Sequence, residues 1–73
     1  MIDKFYSIDT GLDEVNCFSV SEVYYRMTVA KVPYNTIRNI MPYVQSMKPN
    51  DYFVVGGEKF GRVEVRCWDY YND

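Results

Sequence analysis

Residues 36–48, TIRNIMPYVQSMK, carry a single apolar stripe: Ile37, Ile40, Met41, Val44 and Met47 fall within roughly 120° of arc when placed at about 100° per residue. Arg38, Asn39, Gln45 and Ser46 take the opposite side. A stripe of that width belongs to a helix lying on a broad apolar surface, so the rest of the chain has to supply one. Asn35 stands at the N-cap position, where its side chain can accept a free backbone N–H, and Pro49 follows as a stop signal. Pro42 removes the N–H that would bond the Arg38 carbonyl. It projects to the polar side, where water reaches that carbonyl, so the expectation is a kinked helix rather than a broken one.

The flanking segments read mostly as strands. Residues 2–8 favour a strand through Phe5, Tyr6 and Ile8, and Asp9, Thr10 and Gly11 supply turn chemistry directly after it. The second arm of that hairpin is residues 14–20. Residues 21–32, SEVYYRMTVAKV, fit two patterns. Val20, Val23, Tyr24, Met27 and Ala30 make a helical stripe, with Ser19 and Glu22 as a capping box. The β-branched and aromatic content of the segment favours a strand instead, ended by Val32-Pro33, and the strand is the expectation. After the helix, Pro49, Asn50 and Asp51 turn the chain into residues 52–55, and Gly56, Gly57 and Gly61 frame a hairpin into residues 62–70. There Val63, Val65 and Cys67 alternate with Arg62, Glu64, Arg66, Trp68 and Tyr70, which assigns the apolar set to the face under the helix. The expected fold is α+β: an antiparallel sheet of four to five strands with one principal helix, residues 36–48, packed on one face. The runner-up makes residues 21–32 a second helix.

Seventy-three residues make one small domain, and 48% hydrophobic with 25% charged residues is a globular composition. No apolar run approaches a membrane span, and the acidic start MIDKFYSID is unlike a signal peptide, so the expectation is a cytoplasmic protein without a membrane role. Cys17 and Cys67, with no histidine in the chain, are too few for a disulfide framework or a zinc site. They read as buried thiols. Asp9, Asp13 and Glu14 cluster around the first turn but match no calcium-loop spacing. No metal and no cofactor are expected.

The missing histidine removes the commonest general base, and the glycines of GGEKFG follow neither phosphate-binding pattern, so catalysis is not expected. Charge is uneven. The first 25 residues hold Asp3, Asp9, Asp13, Glu14 and Glu22 against Lys4, a net −4, and the remainder is +2 within an overall −2. That polarity is too weak to announce nucleic-acid binding. If residues 21–32 are a strand of the same sheet, Tyr24 and Arg26 share a face with Arg62, Arg66, Trp68 and Tyr70, opposite the helix. Aromatic residues and arginine are enriched at protein interfaces, and eight tyrosines point to a recognition surface. The functional expectation is a non-catalytic protein-binding module acting stoichiometrically as a regulator or inhibitor, of the kind a virus or mobile element directs against a host defence or nucleic-acid-processing enzyme. Homodimerisation through an exposed strand edge or through the aromatic face is carried with it. The alternative is a single-stranded nucleic-acid-binding domain that stacks bases on the same aromatic and arginine-bearing face.

Overall fold

The computed structural model describes residues 4–57 and 60–69, which form six elements: strands β1 (Lys4–Asp9) and β2 (Glu14–Cys17), helices α1 (Val20–Val29) and α2 (Tyr34–Ser46), and strands β3 (Tyr52–Gly57) and β4 (Gly61–Asp69). Each hairpin pairs within itself. The two are joined by antiparallel β1–β4 pairing, so the sheet order is β2-β1-β4-β3. Tyr6 and Ile8 of β1, Cys17 of β2, and Val63, Val65 and Cys67 of β4 form one core with Val23 and Met27 of α1, Val32, and Ile37, Val44 and Met47 from α2 and its end. Both helices therefore cover the same face of the sheet. The class is α+β, as the alternation predicts, with two helices sharing the face assigned to one.

The strand expected over residues 21–32 is corrected: Val20–Val29 is helical. Val23 and Met27 are fully buried, whereas Tyr25 and Val29, which the strand reading would have put in the core, are 61% and 52% exposed. The cap decides the local outcome. Ser19 Oγ accepts from the Glu22 N–H at 3.2 Å, satisfying one donor of the first turn, and Glu22 Oε1 accepts from the Phe18 N–H at 3.2 Å, fixing the residue just before the cap. Strand propensities are worth tenths of a kcal/mol per residue, and burying two side chains behind a cap outweighs them.

The other end of α1 is equally specified. The Val32 N–H donates to the Met27 carbonyl at 3.1 Å and the Lys31 N–H to that of Thr28 at 3.0 Å, with Lys31 at φ 73°. This is a Schellman closure, and Val32 and Met27 are both buried in the same core. It leaves room for only one more residue, Pro33, before α2. Asn35 is accordingly not the N-cap: Pro33 holds that position, without a side-chain bond, and the Ile37 N–H reaches the Pro33 carbonyl at 3.0 Å. The helix runs unbroken through the exposed Pro42.

Lys48, Pro49, Asn50 and Asp51 make the next turn, closed by the Asp51 N–H on the Lys48 carbonyl at 2.9 Å and the Lys48 N–H on Asp51 Oδ2 at 3.0 Å. Pro49 presets the second position, and Asn50 tolerates the φ of 79° required at the third. The Asn50 N–H donates to the Cys67 carbonyl at 2.8 Å while the Cys67 N–H donates to that of Asp51 at 2.9 Å, a bulge that admits β3 to the sheet. Lys4 donates to the Met47 carbonyl at the end of α2, placing a cation where the helix dipole favours one. None of the described helices is long and apolar enough to cross a membrane.

Candidate functional site, the outer face of the sheet

Alternation on the strands leaves the second face of the sheet to Phe5, Ser7 and Asp9 of β1, Glu14 and Asn16 of β2, Tyr52 and Val54 of β3, and Arg62, Glu64, Arg66 and Trp68 of β4. The register aligns these side chains in rows: Phe5 beside Trp68, then Asn16, Ser7, Arg66 and Tyr52, then Glu14, Asp9, Glu64 and Val54. None of the described elements packs over this face.

Its upper part is aromatic. Phe5 stacks on Trp68 with centroids 6.4 Å apart and planes inclined by 19°, and Phe18 leans on Phe5 at 5.7 Å. Trp68 Nε1 donates to Ser7 Oγ at 2.8 Å, which satisfies the buried Ser7 hydroxyl and fixes the indole. The Arg66 guanidinium lies between two rings, 4.7 Å from the Tyr52 centroid and 5.5 Å from that of Trp68. Trp68 and Tyr52 nevertheless remain 38% and 54% exposed.

The lower part is ionic. Glu64 bridges both arginines, with Oε1 3.1 Å from Arg62 Nη2 and Oε2 3.4 Å from Arg66 Nη2. Asp9 and Glu14 lie in the same row, so the face carries three carboxylates against two guanidiniums. A surface of this kind can hold a planar or apolar group against fixed rings and direct hydrogen bonds at its border. It offers no surplus positive charge.

Of the residues assigned from sequence, Arg62, Arg66 and Trp68 are brought together. Tyr24 and Arg26 are not, and this is a correction that follows from α1: the parity that grouped them with the sheet exists only in a strand. Tyr24 instead lines a cleft of about 390 Å³ between the helices with Tyr34, Arg38 and Met41, and Arg26 lies beside Val29 and Leu12 at the lower end. Tyr70 lies outside the described residues. Phe5, Ser7, Phe18 and Tyr52 were missed, although the order Phe5, Ser7, Asp9 against Tyr6, Ile8 already separates two faces.

Both thiols are closed off from solvent. Cys17 and Cys67 are fully buried, and burial, reinforced by the Glu22 carboxylate and opposed by Arg26, pushes the Cys17 thiol above its ordinary range. Among the described residues no group of histidine, cysteine or carboxylate side chains is arranged to hold a metal ion. No family model matches this chain, and no curated protein or solved structure shows significant similarity to it.

Proposed function

We propose that the chain is a small non-catalytic module that binds a partner protein on the outer face of its sheet and acts stoichiometrically as a regulator or inhibitor. The observation that carries this reading is Arg66 held between Trp68 and Tyr52 on an open face whose reverse is sealed by both helices. Trp, Tyr and Arg dominate interface energetics when they are rigid and surrounded by a polar rim. Here the Trp68–Ser7 hydrogen bond and the Arg66 contacts supply the rigidity, and Asp9, Glu14, Asn16 and Glu64 supply the rim. Buried thiols suit a reducing, cytoplasmic setting.

The charge of the face favours a protein partner over nucleic acid. Both arginines are engaged by Glu64, and Asp9 and Glu14 add further negative potential, so a phosphate chain would be repelled along most of its path.

The test is affinity capture with the intact chain, identification of the bound protein, and titration of that protein against variants. Trp68→Phe, which keeps a ring but removes the indole donor, and Tyr52→Ala should each weaken binding, with about 2 kcal/mol or more lost for Trp68→Ala. Tyr34→Ala, on the helical side, should leave affinity unchanged. Moderate salt dependence supports the reading. Equal affinity in the Tyr52 and Trp68 variants, or a steep log-linear salt dependence toward an oligonucleotide, would count against it.

A further inference from the structure

We propose that two copies of the chain pair antiparallel through β3, with a two-fold axis between the Val54 residues, to make one continuous sheet of doubled width. The inference begins from which backbone groups β3 uses. The Cys67 N–H bonds the Asp51 carbonyl, and alternation along an antiparallel ladder then makes Phe53–Val65, Val55–Val63 and Gly57–Gly61 the hydrogen-bonded pairs. The N–H and carbonyl groups of Tyr52, Val54 and Gly56 consequently point away from β4, along the open edge.

Open edges are normally protected by charge, proline, a bulge within the strand or brevity. The opposite edge, β2, is short and carries Glu14. In contrast β3, YFVVGG, has no charged residue and no proline along its whole length. An unprotected edge of this kind is a pairing template.

The register that uses all of its free groups is self-complementary. Placing Val54 opposite Val54 of the second copy sets each Tyr52 opposite the other copy's Gly56, and all three of these residues lie on the outer face. Among the described residues, nothing lies within 4 Å of the position a Cβ would take on Gly56. A Tyr52 ring from the second copy fits there, as aromatic side chains cover cross-strand glycines elsewhere. On the inner face the same register sets Phe53 against Val55. The fit between a bulky residue and an empty glycine at symmetric positions identifies the occupant as a second copy rather than an arbitrary strand. Two Trp68–Arg66–Tyr52 clusters then share one surface.

The test combines molecular mass in solution with amide exchange. Light scattering over a concentration series should show the mass rising from the 8.7 kDa of one chain toward twice that value. Over the same series the amides of Tyr52, Val54 and Gly56 should gain protection, while those of Phe53 and Val55 stay protected throughout. Val54→Lys, which sets two ammonium groups face to face, should weaken self-association by about tenfold or more. Trp68→Ala should leave it intact, which separates this inference from target binding. A chain monomeric up to its solubility limit, a dimer in which those three amides exchange freely, or protection that appears only on adding another protein would overturn the proposal. If Val54→Lys loses its far-UV circular dichroism, exchange in the unmodified chain decides alone.

Discussion

Lys31 occupies the left-handed region at φ 73°, a conformation in which its Cβ is crowded and glycine is not. The Schellman closure requires that conformation whatever the side chain, so Lys31→Gly should stabilise the fold by about 0.5–1 kcal/mol, read as a raised urea midpoint at constant slope. A loss of stability would mean that the lysine stem contributes packing that outweighs the strain. Cys17 and Cys67 flank Tyr6 from neighbouring strands on either side, which puts them two strand spacings, roughly 9.5 Å, apart and beyond disulfide reach. Because the folded-state pKa of Cys17 is raised, the folded chain holds that proton more tightly than the unfolded one. Its contribution is fully present below the unfolded thiol pKa of about 8.5 and is lost as pH rises from there through the higher folded value. Urea unfolding between pH 7 and 10 should show stability falling more steeply for the unmodified chain than for Cys17→Ala. Identical slopes would show that Cys17 does not titrate differently in the two states.

The helices set the depth of the core, and α2 shows that the members of one apolar stripe are not equally buried. Ile37 and Val44 are sealed, whereas Ile40 is only partly buried and packs at the margin. Ile37→Ala should cost about 2–5 kcal/mol, as a cavity in a closed site does. Ile40→Ala should cost less than half as much, and a reversed order in chemical denaturation would relocate the buried face. The alternation of Val63, Val65 and Cys67 made β4 legible because a sheet with one wet face imposes a strict period of two. The KPND turn was legible for a similar reason, since proline and asparagine each answer one dihedral requirement. For α1 the sequence holds both readings, and the β-branched or aromatic Val23, Tyr24, Tyr25, Thr28, Val29 and Val32 favour the strand. Tyr24, Tyr25, Thr28 and Val29 are exposed, where propensity matters less than the burial of Val23 and Met27. The same strand parity is what groups Tyr24 and Arg26 with the outer face in the sequence. Half of the site was therefore readable from β4 alone, and the remainder depended on knowing that β1 and β3 flank it.

At the scale of the molecule, the described strands join the two hairpins through the pairing of β1 with β4, which are distant in sequence and central in the sheet. An isolated hairpin is marginal in water, so neither half has an independent reason to stay folded. The amides of Ser7 and Arg66, paired across the central ladder, should fall in the slowest exchange class, with an opening free energy equal to that of global unfolding. If Phe53 or Val65 outlasts them, the second hairpin opens and closes as a unit of its own. The central pairing also brings Lys4 opposite Asp69, next to the Phe5–Trp68 stack. Lys4 and Asp69 therefore lie together at one end of the sheet, beside the aromatic cluster. The distant site is the turn after β1, where Leu12 is 98% exposed and Gly11 sits at φ 90°. A circular permutant opened there and linked from Asp69 to Lys4 would keep every strand pairing described above and place its new ends at the end of the sheet opposite the aromatic cluster.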